Sequence, residues 1–277
     1  MRTETIPLSP AHPRATLTTY LNAATQELSV DGRDAVIVCP GGGYVCCSER
    51  EAEPIALCFL AAGMNAFVLR YTVKTPERNG AANFAPLIEA ALAVKHVRDH
   101  AKEYQINPRR VFVIGFSAGA HLAASVAILW NLPEVSAALG GAPAESARPD
   151  GMLLCYPVIS GIDHPHLGSF QMLCDKENPP TEELRRYSLE LHVNANTPPA
   201  FLWHTAEDAT VPVENSLAMA RALSAAKVPY ELHVFPYGAH GLSLADYRTG
   251  NNGGAKAESH AHCWMDLALR WIAMTGK

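Results

Sequence analysis

One serine of this 277-residue chain has the surroundings that a nucleophile needs. Ser117 is the centre of GFSAG at 115–119, which follows the apolar run RRVFVI and precedes the small-residue run AHLAAS. A strand, a sharp turn and a helix in that order expose a hydroxyl at the turn, and the glycines let strand and helix pass closely. Because a serine that merely capped a helix would not need glycines on both sides, we predict that Ser117 is a nucleophile.

A serine hydroxyl attacks a substrate only when a base removes its proton. His240 lies in the loop segment YGAHG after the last predicted strand, and we predict that it is this base. The acid that orients the imidazole should follow the preceding strand, where EDATVP offers Glu207 and Asp208. We choose Asp208, because Asp-x-x-Val-Pro leads into the next helix, and leave Glu207 as a neighbouring carboxylate. The order Ser, Asp, His along the chain differs from both common protease orders.

The segment PGGGY at 40–44 places three glycines directly after the apolar run AVIV. Each glycine adds chain entropy that folding must remove, so the bare backbone needs a reason. A phosphate cradle, an oxyanion hole and a tight turn are the three interpretations. A dinucleotide site requires a third spaced glycine, and a P-loop requires a Lys followed by Ser or Thr. The segment has neither, which favours backbone donors aimed at a carbonyl oxygen.

These motifs must be positioned by strands and helices that alternate along the chain. We predict strands at 15–21, 34–39, 65–72, 109–114, 151–159, 200–207 and 230–236, and helices at 53–63, 83–104, after GFSAG to 130, at 215–226 and through 264–272. Such alternation predicts an α/β protein with a mostly parallel sheet of about eight strands, helices on both faces and an antiparallel hairpin at one edge. Ligands bind beyond the carboxyl ends of such strands, so the four motifs should converge there.

Together the motifs resemble those of α/β-hydrolases of the carboxylesterase type. They are similar to acetylesterases and lipase-like proteins whose oxyanion motif begins PGGGY, and to the BD-FAE and hormone-sensitive-lipase groups. The resemblance covers nearly the whole chain, through VIVCPGGGY, AFVLRYTV, RRVFVIGFSAGAHLAA, PPAFLWHTAEDATVPVENS and GAHGLSL. Pro40 stands where the lipase group has histidine, so the substrate preferences of that group are not transferred.

The resemblance implies a single α/β-hydrolase domain over 1–277 that needs no cofactor. It implies that Ser117 is the nucleophile, that His240 is general base and then acid, and that Asp208 orients the imidazole. It also implies an ester substrate with a small acyl group, such as an acetylated sugar or xylo-oligosaccharide.

The resemblance further implies that the oxyanion is bound by backbone N–H groups, those of Ala118 and of Gly42 or Gly43. Tyr44 and Tyr71 follow strand ends, and we predict that they line the substrate pocket, with simple packing as the equal alternative.

The segment of roughly 161–196 has no clear periodicity, and we predict that it is irregular. In similar enzymes such a segment covers the site and shapes the substrate pocket, so Asp163 and His164 are placed near it. His121 lies one helical turn beyond Ser117, and we expect it to pack or hydrogen-bond internally.

Composition excludes several classes of function. With 22 basic and 27 acidic side chains and no basic run, the chain is not expected to bind nucleic acid. It has no uncharged apolar stretch of about 18 residues and no apolar core of a signal peptide at its start, so we expect no membrane contact and a cytoplasmic location. None of the seven cysteines has zinc-ligand spacing, so we expect reduced thiols and no metal. The expected binding partner is a small-molecule ester. A homodimer is the assembly that we consider for the chain.

We therefore expect a serine esterase that cleaves acetyl esters through an acyl-enzyme. Amide or peptide hydrolysis is the alternative, because arylformamidases and prolyl-oligopeptidase-like enzymes share this arrangement. A non-catalytic binding protein on the same fold is the third interpretation. Such proteins often lose a member of the triad, whereas this chain has all three.

Overall fold

The strands of this protein form a single mixed sheet. The computed structural model describes residues 1–25, 27, 32–73, 84–250 and 260–276. The strands are β1 (Arg2–Ser9), β2 (His12–Leu21), β3 (Arg33–Cys39), β4 (Asn65–Arg70), β5 (Ile106–Phe116), β6 (Gly151–Cys155), β7 (Ala200–Thr205) and β8 (Tyr230–Phe235). Their order is β1-β2-β4-β3-β5-β6-β7-β8. The β1–β2 and β2–β4 pairs are antiparallel, and all other neighbours are parallel. The predicted sheet and its antiparallel edge hairpin are confirmed.

Helices cover both faces of the sheet, as predicted. They are α1 (Glu53–Ala61), α2 (Ala85–Asp99), α3 (Ala101–Tyr104), α4 (Ala118–Leu129), α5 (Pro133–Ala138), α6 (Leu167–Cys174), α7 (Thr181–Arg186), α8 (Glu214–Ala225) and α9 (Trp264–Met274). Helices α1 and α9 bury their apolar side chains against one face. Helices α2, α4 and α8 bury theirs against the other.

Strand β3 shows why the central strands are apolar throughout. Ala35, Ile37 and Cys39 point to the face that α2 and α4 cover. Val36 and Val38 point to the face that α1 and α9 cover. Successive side chains of a strand alternate between faces, so a strand covered on both sides reads as a continuous apolar run. This run leads directly into the three glycines.

Several predicted strands end earlier than expected, among them the one predicted over 65–72, which ends at Arg70, and two others beside the predicted motifs. The strand predicted over 151–159 ends at Cys155, because Tyr156 has a φ of +37° and leaves the extended region. The strand predicted over 200–207 ends at Thr205, before Glu207 and Asp208. Both ends are at the carboxyl edge of the sheet, where the chain turns away to present side chains.

The helix predicted over 83–104 begins at Ala85 and is interrupted at His100; residue 83 lies outside the described residues. The segment of roughly 161–196 is not irregular throughout, because it contains α6 and α7. Helix α7 buries none of its side chains and therefore has no apolar periodicity. What marks this helix in the sequence is the distribution of charge. Acidic residues lie in the first turn and Arg185 and Arg186 in the last, and this arrangement complements the helix dipole.

The crossing of β5 and α4 depends on glycine, and this predicts a stability effect. A Cβ on Gly115 would lie 2.1 Å from the carbonyl oxygen of Gly119, and one on Gly119 would lie 2.2 Å from that of Cys39. Because backbone cannot move aside easily, we expect Gly115→Ala to lower the free energy of unfolding by about 1–3 kcal/mol in urea denaturation. Gly168→Ala is the matched control, since its Cβ would meet nothing closer than 3.6 Å. Equal stability of the two variants would contradict the packing argument.

Candidate active site

Ser117 lies at the turn between β5 and α4 in a strained backbone conformation. Its φ is +54° and its ψ is −121°. A non-glycine residue at positive φ is strained and persists only where its surroundings hold it. Here the Ser117 amide donates to the Cys155 carbonyl at 3.0 Å, and the Val158 amide donates to the Ser117 carbonyl at 3.2 Å. The end of β6 thus fixes the turn that presents the hydroxyl.

The structure brings Ser117, His240 and Asp208 into one hydrogen-bonded array. His240 Nδ1 lies 2.6 Å from Asp208 Oδ2, and His240 Nε2 lies 2.8 Å from Ser117 Oγ. An ionised carboxylate only accepts hydrogen bonds, so Nδ1 carries the proton. Nε2 is then free to accept from the serine hydroxyl. The array has the geometry of a general base paired with a nucleophile.

The side chain of Asp208 is fully buried and is surrounded by hydrogen-bond donors. Its Oδ1 accepts from the amides of Thr210 and Val211, each at 2.9 Å. His204 Nε2, which donates to the Val211 carbonyl, also lies 3.3 Å from Asp208 Oδ2. Burial raises the pKa of Asp208, but the hydrogen bonds from His204, His240 and the Val211 amide outweigh it and hold the pKa well below its usual range. The carboxylate is therefore ionised at neutral pH.

The structure distinguishes the two adjacent carboxylates at the end of β7. Glu207 is exposed and accepts only a long hydrogen bond, 3.3 Å from the Gly238 amide. Asp208 points inward to His240. Both residues lie in the turn beyond Thr205, and this turn presents Asp208 to the imidazole and Glu207 to solvent.

The glycine loop supplies unpaired backbone donors beside the nucleophile. Gly42 and Gly43 have φ values of +125° and +62°, which favour glycine, and a Cβ on Gly42 would lie 2.3 Å from the Cys46 carbonyl oxygen. Among the described residues, no acceptor pairs with the N–H groups of Gly42, Gly43 or Ala118. Ala118 is the first residue of α4, where such donors are free and the helix dipole favours negative charge.

Tyr44 and Tyr71 are packed inside the protein, which is the second of the two alternatives given for them. They are only 2% and 3% exposed. The Tyr71 hydroxyl donates to the Pro40 carbonyl at 2.7 Å, and the two rings meet edge to face. Both side chains anchor the glycine loop from below. Sequence alone placed them correctly at strand ends but could not tell which way the rings turn.

His121 is an internal hydrogen-bonding residue, as predicted. Its Nε2 lies 2.8 Å from the Tyr187 carbonyl oxygen, which only accepts, so Nε2 carries the proton. Its Nδ1 therefore accepts from the Tyr44 hydroxyl at 2.7 Å. Burial lowers the pKa of His121 to about 4, so the ring is neutral near pH 7. The residue ties the glycine loop to α4.

The segment HPH at 164–166 contributes a half-buried histidine, His166, that sequence reasoning missed. Asp163 and His164 pair with each other at the surface. His166 is half-buried, and its Nδ1 lies 2.8 Å from Ser169 Oγ. Burial lowers the pKa of His166, and the nearby charge of His240 lowers it further. His166 is thus the histidine of this segment whose pKa depends on His240.

Two more residues beside the array, Glu51 and Tyr156, were also missed. Tyr156 directly follows the carboxyl end of β6, a position that marks a site residue in sheets of this type. Glu51 lies in SEREAEP, which reads as an ordinary charged surface segment, yet it is only 3% exposed. No signal in the sequence distinguished it from its exposed neighbours.

All seven cysteines are free thiols. Within 1–25, 27, 32–73, 84–250 and 260–276, no cluster of three or more His, Cys, Asp or Glu has the arrangement of a metal site. No helix in the described part of the chain is both long and apolar enough to cross a membrane.

The chain matches two family models and several known proteins. The BD-FAE family model matches residues 20–151, and the prolyl oligopeptidase family model matches residues 169–266. The chain is 36% identical to the acetyl ester-xyloside bifunctional hydrolase of Caldicellulosiruptor lactoaceticus, whose crystal structure superposes with a TM-score of 0.80 over 99% of this chain and 97% of that one.

Two curated relatives are longer than this chain. Endo-1,4-beta-xylanase B of Butyrivibrio fibrisolvens is 41% identical over 80% of this chain and 35% of its own length. The acetylxylan esterase of Xylanibacter ruminicola is 30% identical over 77% of this chain and 42% of its own length. The chain thus spans well under half of either relative.

Proposed function

Since the chain belongs to the α/β-hydrolase carboxylesterase family of the Caldicellulosiruptor hydrolase, we propose that it is a serine esterase which removes acetyl groups from xylo-oligosaccharides or related sugars. The observation that carries the proposal is the continuous hydrogen-bonded array of Ser117, His240 and Asp208. Such an array activates a serine for attack on a carbonyl carbon.

In the first half of the reaction, Ser117 Oγ attacks the acetyl carbonyl carbon while His240 Nε2 takes the hydroxyl proton. Asp208 holds Nδ1–H in place and stabilises the imidazolium that forms, without itself taking a proton. The negative charge that develops on the carbonyl oxygen is bound by the N–H groups of Ala118 and of Gly42 or Gly43. The tetrahedral intermediate then expels the sugar alkoxide, which takes the proton from His240, and an acetyl-serine remains.

In the second half, His240 removes a proton from a water molecule that attacks the acetyl-serine. The same backbone donors bind the second oxyanion, and its collapse returns the proton to Ser117 Oγ and releases acetate. Ser117 is only 7% exposed, so the acyl group enters a shielded site where these dipoles act strongly. No metal or cofactor takes part in these steps as proposed.

The substrate class rests on the relatives. One is named an acetyl ester-xyloside bifunctional hydrolase and another an acetylxylan esterase, so both names join acetyl esters with xylose or its polymer. A third is named as a xylanase, which acts on the same polymer.

A substrate panel tests this function. We expect kcat/KM for p-nitrophenyl acetate to exceed that for the octanoate by at least about tenfold, because a pocket that fits a methyl group gains nothing from further methylenes and must exclude them. Acetylated xylo-oligosaccharides should release acetate, measured enzymatically, and chemically deacetylated ones should release none. An absence of acetate release from the sugar, despite turnover of the aryl ester, would contradict the sugar-ester assignment.

The prolyl oligopeptidase family match over 169–266 favours amide hydrolysis as a second candidate on the same array. An N-formyl aryl amide separates the two, because an amide nitrogen must be protonated before it leaves. We expect its kcat/KM to be well below that of p-nitrophenyl acetate. A larger value would establish the amidase as the better description.

A further inference from the structure

A buried carboxylate outside the triad lies directly beneath the glycine loop. Glu51 is at the end of a short 3-10 turn, Glu49–Glu51, that follows this loop. Its side chain makes two hydrogen bonds, accepting from the Gly41 amide at Oε2 (2.9 Å) and from the Tyr156 hydroxyl at Oε1 (2.6 Å). The esterase chemistry proposed above assigns it no role.

The first of these bonds fixes the glycine loop against the nucleophile. A Cβ on Gly41 would lie 2.6 Å from Glu51 Oε2, 2.6 Å from the Phe116 carbonyl oxygen and 3.1 Å from Ser117 Cβ. Gly41 is therefore held between the carboxylate and the backbone that carries Ser117. Any shift of Glu51 would displace Gly41, and with it the amides of Gly42 and Gly43.

The second bond connects the carboxylate to the loop that carries His240. The Tyr156 hydroxyl donates to Glu51 and accepts from the Ser243 amide at 2.9 Å. Its ring meets the His240 imidazole edge to face, with centroids 5.1 Å apart. Burial and then the charge of Glu51 raise the pKa of Tyr156 well above its usual range, so the hydroxyl keeps its proton.

The turn makes further bonds to the same loop. The Arg50 guanidinium donates to the carbonyl of Gly241, the residue after His240, at 2.9 Å. The Ser243 hydroxyl donates to the Arg50 carbonyl at 2.6 Å. One turn of the chain thus contacts both the oxyanion loop and the histidine loop.

We propose that Glu51 is a positioning residue which, through Tyr156, holds the backbone donors of the oxyanion hole in register with His240. The proposal rests on the esterase function proposed above. Burying a carboxylate is costly unless its oxygens are satisfied, and here the Gly41 amide and the Tyr156 hydroxyl satisfy one oxygen each. The interaction is therefore arranged to fix geometry, on which the rate of the chemical step depends strongly.

The test compares Glu51→Ala with Glu51→Gln and with Glu53→Ala, which removes a nearby exposed carboxylate from the first turn of α1. With p-nitrophenyl acetate we expect Glu51→Ala to lower kcat by about 10- to 100-fold with KM within about twofold, because misplaced donors fail mainly in the transition state. Glu51→Gln should keep most of the activity, since its amide oxygen still accepts from Gly41. Glu53→Ala should behave like the wild type.

The affinity for phenylboronic acid is a second measurement, and it distinguishes displaced oxyanion donors from a general loss of packing. Phenylboronic acid forms a tetrahedral, negatively charged adduct with an active serine, so its affinity reports on the oxyanion hole. We expect its inhibition constant to rise in Glu51→Ala by the same factor by which kcat falls. A fall in kcat with unchanged boronate affinity would overturn the proposal.

Tyr156→Phe separates a loss of positioning from a loss of folding, because it keeps the aromatic ring and the hydrogen bond between Glu51 and the Gly41 amide. It should lower kcat and boronate affinity in parallel by a smaller factor, and the double variant with Glu51→Ala should lose little more than Glu51→Ala alone. If Glu51→Ala does not fold, Tyr156→Phe decides. Wild-type values in Tyr156→Phe and in folded Glu51→Ala overturn the positioning role. Wild-type turnover in Ser117→Ala would overturn the esterase function instead.

Discussion

Replacing Ser117 by alanine is expected to lower kcat for p-nitrophenyl acetate by about 10⁶-fold, to the residual rate that the oxyanion donors alone support. The hydroxyl oxygen is the atom that bonds to the acyl carbon, and its proton is the one that His240 Nε2, at 2.8 Å, removes in the first step. His240→Ala should cost about as much, and the double variant no more than either, because the two groups act as a unit.

The fold of Ser117→Ala must be shown to be intact. Ser117 Oγ is a single atom on a turn whose backbone hydrogen bonds remain, so thermal unfolding should change little. A fluorophosphonate probe should label the wild type and leave Ser117→Ala unlabelled. Labelling of the variant, or turnover near that of the wild type, would place the nucleophile elsewhere.

Asp208→Asn is expected to lower kcat by about 10⁴-fold while the loop keeps its shape. The amide oxygen can still accept from the Thr210 and Val211 amides. The amide NH₂ must then face His240 and donate to Nδ1, which puts the imidazole proton on Nε2, where it cannot accept from Ser117. The measurement is kcat on p-nitrophenyl acetate at saturating substrate.

Glu207→Gln is the matched control, because Glu207 is the adjacent, exposed carboxylate. We expect its kcat to stay within about threefold of the wild type. A loss in Glu207→Gln comparable to that in Asp208→Asn would mean that the two carboxylates exchange roles.

The lowered pKa of Asp208 predicts that the stability of the fold depends on pH. The pKa of Asp208 in the fold is held well below its usual value, so its ionised form adds stability above the unfolded pKa of about 4, and this contribution is lost as the pH falls through the folded pKa. Between about pH 5 and pH 3 the free energy of unfolding of the wild type should therefore fall more steeply than that of Asp208→Asn. Parallel curves would contradict the assigned pKa direction.

Much of the fold follows from local patterns in the sequence. A strand covered on both faces must be apolar at every position, and β3 meets this condition, so its place in the centre of the sheet was predictable. Helix α7 was not predictable from periodicity, because none of its side chains is buried. The end of β6 at Cys155 depends on the left-handed conformation of Tyr156, which no apolar pattern encodes.

The sequence by itself predicted Ser117, His240 and the glycine loop as site elements, because each lies at a strand end in a motif whose residue types have few other uses. The sequence also favoured Asp208 over Glu207, and the structure places Asp208 against His240. Only the tertiary structure turned Tyr44 and Tyr71 inward and brought Glu51 under Gly41. These outcomes depend on contacts between residues that are distant in the chain, such as the 105 positions that separate Glu51 from Tyr156. The direction in which a side chain points there is set by the packing of whole strands and loops, and local sequence does not carry that information.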